Sequence, residues 1–180
     1  MLELAGLHPQ QDPQRGLDHG IWVPLRMLYP QADIPVVPLS IQPELGPAHQ
    51  FAVGRALAPL RAEGVLVIGS GSITHNLHDL HQGYSAEREA PYVRPFIDWT
   101  ERTLADDDVP ALLDYRRQAP HAARAHPTDE HLLPLYVAMG AAGGDRLGAQ
   151  RIDAGIDQGL IGMDIYRFDG APAVDQPVAA

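Results

Sequence analysis

A strand–helix–strand pattern between residues 34 and 68 is the feature that most constrains the fold of this chain. Ile34 to Ile41 is apolar and β-branched, and its two prolines suit a strand at a sheet edge. Apolar residues at helical spacing follow, and Gly64 is a natural helix end. Val65 to Ile68 is a second apolar run. Strands that flank a helix usually pair in parallel. We therefore predict an α/β fold with a central, mostly parallel or mixed sheet flanked by helices.

The remaining pattern is mostly helical. Asp18 is a plausible N-cap for a short helix that ends near Tyr29. Further apolar periodicities predict helices over residues 92–104, 109–117 and 130–142, with a loop over residues 119–128. The stretch 159–168 has strand character.

The charge and composition exclude several function classes. The chain has 13 basic residues, all of them arginine, and 23 acidic residues, which give a net charge of −10. An acidic chain is poorly suited to a phosphate backbone, so we expect no nucleic-acid partner. The lack of lysine excludes Schiff-base chemistry and a P-loop lysine. The lack of cysteine excludes disulfides, thiolate metal sites and a cysteine nucleophile.

The chain shows no boundary between domains, and its 180 residues suit one domain. We expect a ragged N-terminal segment over residues 1–15, one domain over residues 16–168 and a disordered tail over residues 169–180. No stretch approaches the roughly 20 apolar residues of a membrane helix. The first residues lack a basic region followed by an apolar one. We therefore expect a cytoplasmic protein without membrane contact.

Two histidines lie in contexts that favour chemistry. His75 follows the apolar run and the glycine-rich turn at residues 69–72. Open α/β sheets bind ligands at the carboxyl ends of their strands, so His75 is placed to act as a base or a metal ligand; a plain turn would give the same spacing. Asp18 precedes His19 and can orient its imidazole. The same pair also suits a helix cap followed by a turn residue.

A second pair of histidines, His126 and His131, flanks residues 127–130. We expect Glu130 and His131 in the first turn of an apolar helix, where the helix dipole favours a carboxylate and keeps a nearby histidine neutral. An ordinary helix cap with an exposed histidine gives the same spacing. Histidine and carboxylate without thiolate suit iron(II), zinc or manganese. Iron(II) is usual where two histidines and one carboxylate leave coordination positions open.

Three segments resemble one enzyme family in sequence and in order. They are GLDHGIWVPLRMLYPQADIPVVPLSI, GVLVIGSGSITHNL and HPTDEHLLPLYVAMGAA. They resemble the class III extradiol ring-cleavage dioxygenases, with the 4,5-DOPA extradiol dioxygenase type as the nearest branch, in the superfamily of the LigB-type protocatechuate enzymes. The resemblance runs from about residue 16 to residue 168.

The resemblance implies a reaction and a set of residues. The family cleaves catechol-type rings with dioxygen, next to the two hydroxyls, at a non-haem iron(II), and some members hold zinc there. By resemblance, His131 is a metal ligand, and His75 is a ligand or the acid/base for the catechol proton. His19 resembles a catalytic histidine that either contacts the substrate or supports the residues that do. A catechol must lose a proton to chelate iron, and an imidazole is a natural acceptor near neutral pH.

One departure from the family changes what we expect of this chain. Family members carry an N-terminal portion with a His-Gly-Ser-Pro-like turn and a Ser-Ala-His-Trp strand end, and each supplies a metal-binding histidine. Neither string occurs here. We therefore expect the C-terminal portion of an extradiol dioxygenase domain, an incomplete domain with exposed sheet edge.

Alternatives to an active enzyme stay open at this point. The chain is then a truncated non-catalytic remnant, a subunit whose partner supplies the missing N-terminal portion, or one copy in a homo-oligomer. A zinc-dependent hydrolase that uses the same histidines is a weaker alternative, because nothing in the sequence supplies an oxyanion hole or a specific partner for a nucleophile.

Overall fold

The computed structural model describes residues 1–144 and 146–170. Its α-helices, in chain order, are α1 His19–Leu28, α2 Gly46–Leu57, α3 Val93–Ala105, α4 Val109–Leu113, α5 Tyr115–Gln118, α6 Ala122–Ala125 and α7 Leu133–Ala141. Short 3₁₀ helices cover Glu3–Ala5, Pro43–Leu45, Ala58–Glu63 and Leu77–Asp79. The strands are β1 Ala149–Asp153, β2 Ile156–Asp157, β3 Ile161–Gly162 and β4 Ile165–Phe168. Within these described ranges, no helix combines the length and the hydropathy needed to cross a bilayer.

The strands of the described residues form two small sheets. β1 pairs with β4, and β2 pairs with β3, in both cases antiparallel. The strand character predicted for residues 159–168 is present in β3 and β4. The mixture of helices and strands agrees with the predicted class, but the sheets are smaller than expected and the parallel pairing is corrected to antiparallel pairing.

The two apolar segments that predicted a parallel pair, residues 34–41 and 65–68, are not strands in the structure. No backbone hydrogen bond joins either segment to a strand among the described residues. Their side chains are also open to solvent, with Val37 90% and Leu66 68% exposed. A strand satisfies its N–H and C=O groups on a neighbouring strand, and the described part of the chain places none beside them.

The buried core lies among α3, α5 and α7. Phe96 and Ile97 of α3 are fully buried, and Phe96 meets the ring of Tyr115 edge-on at 6.2 Å between centroids. Leu132 and Leu133, directly after His131, are also buried in this core. The turn that carries His131 is therefore anchored from beneath by apolar packing.

Helix α7 begins later than predicted. It begins at Leu133, and the carbonyl of Asp129 accepts hydrogen bonds from the N–H groups of Leu132 and Leu133. Glu130 and His131 therefore lie in the turn before the helix. Pro134 supplies the physical reason, because a helix that began at residue 130 would require an N–H at Pro134 to bond the carbonyl of Glu130. In the second helical position, proline is well tolerated.

Other boundaries were predicted with mixed success. α1 begins directly after Asp18. The 3₁₀ extension of α2 ends at Gly64, whose φ of 79° is the left-handed geometry that glycine favours. The helix predicted over residues 109–117 is divided at Asp114, and the predicted loop over residues 119–128 contains α6. In the predicted tail, the N–H of Gly170 donates to Leu147. The rest of that tail, residues 171–180, lies outside the described residues.

Two glycines let α2 and α7 pack at backbone distance. A Cβ added at Gly54 would lie 2.1 Å from the carbonyl oxygen of Val137, and one added at Gly140 would lie 2.2 Å from that of Phe51. Both distances are far shorter than a van der Waals contact, so a side chain at either position would force the helices apart.

We therefore expect Gly140→Ala to lower the free energy of unfolding by about 1–3 kcal/mol, the usual cost of overpacking, despite the higher helix propensity of alanine. Thermal unfolding by circular dichroism measures the change. Gly16→Ala is the control, because nothing lies within 4 Å of an added Cβ there. Equal melting temperatures for the two variants would contradict the close helix packing.

Candidate metal centre

The loop that carries His75 lies directly on the turn that carries Glu130 and His131. The N–H of Ser72 donates to the carbonyl of His131 at 2.8 Å, and the N–H of His75 donates to the carbonyl of Ala125 at 2.9 Å. These bonds hold in a fixed register two segments that are at least 50 residues apart in sequence.

Glycine makes this contact close. A Cβ added at Gly71 would lie 2.1 Å from the carbonyl oxygen of His131, and one added at Gly69 would lie 2.2 Å from that of Pro134. Glycines in such a loop commonly let the backbone approach a bound ligand. In the structure they let the loop approach the protein's own backbone, which brings His75 to His131.

The other side of the loop is held by β3. The hydroxyl of Thr74 donates to the carbonyl of Leu160 at 2.7 Å and accepts from the N–H of Gly162 at 2.8 Å. The N–H of Ile73 donates to the carbonyl of Gly162, also at 2.8 Å. The loop is therefore fixed from both sides, which limits the freedom of His75.

His75, Glu130 and His131 form a cluster that can hold a metal ion. Each offers one ligand atom, and the three atoms lie within 4.8 Å of one another. The rings of His75 and His131 stack with centroids 3.5 Å apart and planes 11° apart. Oε1 of Glu130 lies 3.2 Å from Nδ1 of His131. Two imidazoles and one carboxylate, all half-buried, are a donor set that suits iron(II) or zinc.

The electrostatics of the cluster favour the metal-binding forms of His75 and Glu130. Burial lowers the pKa of His75, and the neighbouring imidazole of His131 lowers it further. Burial alone would raise the pKa of Glu130, but hydrogen bonds from Thr128, its own backbone and His131 hold that pKa below its usual value. A neutral imidazole and an ionised carboxylate are the species that bind a metal ion.

A cavity of about 250 Å³ opens beside the cluster. It is lined by His75, Leu77, His78, Pro127, Thr128 and Glu130. A larger cavity of about 390 Å³ lies between α3 and the β1–β4 sheet. The larger cavity has no histidine in its lining, so volume alone does not identify the site and the smaller cavity is the better candidate.

His19 lies near this site but outside the cluster. It begins α1 and is exposed. A Cβ added at the next residue, Gly20, would lie 3.8 Å from the hydroxyl oxygen of Ser70. The charge of His19 also contributes to the lowered pKa of His75. Among the described residues, the His19 ring donates no hydrogen bond to Asp18, so the orienting contact that the sequence suggested is absent. The Asp18 carboxylate lies 3.7 Å from the guanidinium of Arg15 instead.

His126 has a structural place in the fold. Its side chain is fully buried, and its Nε2 donates to the carbonyl of Ile73 at 2.7 Å. Burial lowers its pKa to about 4. The ring packs against Phe96 and Tyr115.

Sequence reasoning did not list Glu130 among the metal-binding residues, although the structure places it in the cluster. In the predicted helix, Glu130 and His131 would point about 100° apart. In the observed turn their side chains meet. The signal that could have found Glu130 is Pro134, which rules out the helix start at residue 130.

The chain is similar to curated dioxygenases from plants and bacteria. It is 46% identical over 158 residues to the 4,5-DOPA dioxygenase extradiol of Portulaca grandiflora, and the match covers 87% of this chain and 57% of the relative. It is 44% identical over 157 residues to the protein of that name from Beta vulgaris, with 87% and 58% covered. The Escherichia coli protein of that name is 33% identical over 151 residues, with 82% and 55% covered. The chain thus spans somewhat more than half the length of these relatives.

A solved structure and a family profile agree with these relatives. The crystal structure of an uncharacterized protein from Escherichia coli K12 matches with a TM-score of 0.71 and 30% identity, over 86% of this chain and 63% of that one. This match confirms the α/β class. The profile of the catalytic LigB subunit of aromatic ring-opening dioxygenase matches residues 2–169. A match over nearly the whole sequence shows that this chain belongs to the LigB family of aromatic ring-opening dioxygenases.

Proposed function

We propose that this chain takes part in the extradiol opening of a catechol-type ring by dioxygen, at a metal ion held by the cluster of His75, Glu130 and His131. The observation that carries the proposal is this group of two imidazoles and one carboxylate beside a cavity, in a chain of the LigB family. The donor set favours iron(II), and zinc is the alternative occupant. When bound, the ion would supply Lewis acidity and redox chemistry that the side chains lack.

The side chains supply binding and proton transfer in this proposal. If His75 is the base and not a ligand, its ring nitrogen can accept the proton that a catechol loses, because the lowered pKa keeps the ring neutral near neutral pH. The cavity walls formed by Leu77 and Pro127 give the ring an apolar surface. His19 contacts the substrate from α1, and its influence on the pKa of His75 supports a position on the same side of the site.

The test is a ring-opening assay. The protein is loaded with iron(II) under argon, a catechol and air are added, and oxygen uptake and the yellow semialdehyde product are followed. We expect His131→Gln to lower turnover by about 100-fold or more, because it removes a metal ligand. His81→Gln is the matched control and should keep the turnover, since His81 is exposed and lies outside both the cluster and the lining of the cavity. If no product forms at any iron level, the proposed activity is contradicted, while the family membership of the chain is unaffected.

The role of His75 is separated by metal affinity. If His75 is a ligand, His75→Gln loses metal binding together with turnover. If His75 is the base, the variant keeps its metal affinity and loses turnover alone. Cobalt(II) titration followed by visible absorption distinguishes the two outcomes.

A second candidate function is a subunit that acts only with a second polypeptide or a second copy. The apolar segments at residues 34–41 and 65–68 favour it. They are exposed and form no backbone hydrogen bond to a strand among the described residues, and exposed apolar segments of this kind can pair with other chains. Co-expression with the part of the Escherichia coli relative outside the match should then give oxygen uptake that neither chain gives alone. Activity of the chain alone would contradict this candidate, and inactivity in both cases would favour a non-catalytic remnant. The cytoplasmic location and the lack of a nucleic-acid partner stay predictions.

A further inference from the structure

The buried ring of His126 joins the two segments that form the candidate metal centre. Its Nε2 donates to the carbonyl of Ile73, two residues before His75, at 2.7 Å. Because a carbonyl oxygen only accepts hydrogen bonds, Nε2 must carry the hydrogen. His126 itself lies at the start of the segment that leads to Glu130 and His131.

Packing alone does not explain a histidine at this position. The side chain is 0% exposed and is surrounded by aromatic rings, yet its Nδ1 has no hydrogen-bond partner among the described residues. An unpaired buried acceptor is unfavourable, and an apolar side chain would fill the space without it. The bond to Ile73 is what an apolar side chain could not provide.

The segment on which His126 lies is itself fixed. Nη1 of Arg116 donates to the carbonyl of His126 at 2.6 Å, and the same guanidinium forms an ion pair with Asp129. The carbonyl of Ala125 accepts the N–H of His75. The His126 side chain thus joins a fixed segment of backbone to the loop that carries His75. If that loop were displaced, His75 would separate from His131.

We propose that His126 is a positioning residue that holds the His75 loop against the turn of Glu130 and His131 through its bond to Ile73. The consequence of this geometry for metal binding rests on the proposed function. The geometry itself is tested by a measurement that requires neither metal nor substrate.

The test compares side chains that differ in whether they can reach Ile73. His126→Leu removes the donor. The amide nitrogen of glutamine lies where Nε2 of histidine lies, and that of asparagine falls one methylene short. We expect the amide hydrogens of Ser72 and His75 to exchange about tenfold faster in His126→Leu and His126→Asn, the change that one hydrogen bond makes. In His126→Gln their exchange should stay close to that of the unmodified protein.

Tyr136→Phe is the matched control, because it also removes one buried side-chain bond to a carbonyl, that of Leu112, but away from the site. It should change amide hydrogen exchange throughout the core, with no larger effect at Ser72 and His75 than elsewhere. Equal exchange in the asparagine and glutamine variants would overturn the proposal, even if His126→Leu fails to fold. The proposal would also be overturned if His126→Leu accelerated amide exchange at Ser72 and His75 no more selectively than Tyr136→Phe does.

Cobalt(II) affinity is the second readout. It should fall about tenfold in His126→Asn and return in His126→Gln. If the unmodified protein binds no cobalt(II), the proposed function fails, while amide exchange still decides whether His126 positions the loop.

Discussion

Gly71→Ala should lower cobalt(II) affinity about tenfold and ring-opening turnover about 100-fold, with the fold retained. The added Cβ would lie 2.1 Å from the carbonyl oxygen of His131, whereas real Cβ atoms essentially never approach closer than 3.0 Å. The loop must therefore move by about 1 Å, a displacement that is enough to disturb a catalytic geometry. The bond from Ser72 to His131 would be strained by the same movement, and His75 would be drawn away from its neighbour.

Gly155→Ala is the control for this prediction. Nothing lies within 4 Å of a Cβ at Gly155, and its φ is not in the left-handed region. It should keep both the metal affinity and the turnover of the unmodified protein, with a closely similar melting temperature. Unchanged cobalt(II) affinity in a folded Gly71→Ala variant would show that the contact between loop and turn does not control the site.

Sequence patterns predicted those parts of the fold that local physics decides. α1 begins after Asp18, although the Asp18 side chain makes no cap hydrogen bond, and the 3₁₀ extension of α2 ends at Gly64, because a left-handed glycine acts within one turn of the chain. Residues 34–41 and 65–68 have the composition of strands, but strand pairing depends on backbone from elsewhere. A local pattern therefore predicts the tendency and not the partner.

The candidate site was predicted in part. His75 and His131 came from their local contexts and from the family resemblance, and the structure brings their rings into contact. The carboxylate of Glu130 joins them because Pro134 delays the helix by three residues. His126 had been grouped with His131 by spacing alone. Its burial could not be predicted, because the aromatic rings around it come from α3 and α5.

Acid should destabilise this protein between pH 6.5 and about pH 4, and His126 should account for about 3 kcal/mol of the loss. In the native state, burial lowers the pKa of His126 from 6.5 to about 4, although the hydrogen bond to Ile73 opposes this shift. Arg116, His75 and His131 lower the pKa by smaller amounts. Above pH 6.5 the histidine is neutral whether the chain is folded or unfolded. As the pH falls below 6.5, the unfolded chain binds a proton that the native state excludes, so the stability present above pH 6.5 is lost.

Urea unfolding at several pH values measures this loss, and His126→Gln should reduce it, because glutamine does not titrate. The lowered pKa of His75 acts in the same direction, so some pH dependence should remain in that variant. Tyr136→Phe removes a buried hydrogen bond without removing a group that titrates in this range, so it should keep the full pH dependence. Parallel pH profiles for His126→Gln and Tyr136→Phe would show that His126 is not held neutral in the folded protein. If only His126→Gln shows a shallower dependence of stability on pH, the native state excludes a proton from His126 below pH 6.5. The bond to Ile73 is then made by a neutral imidazole.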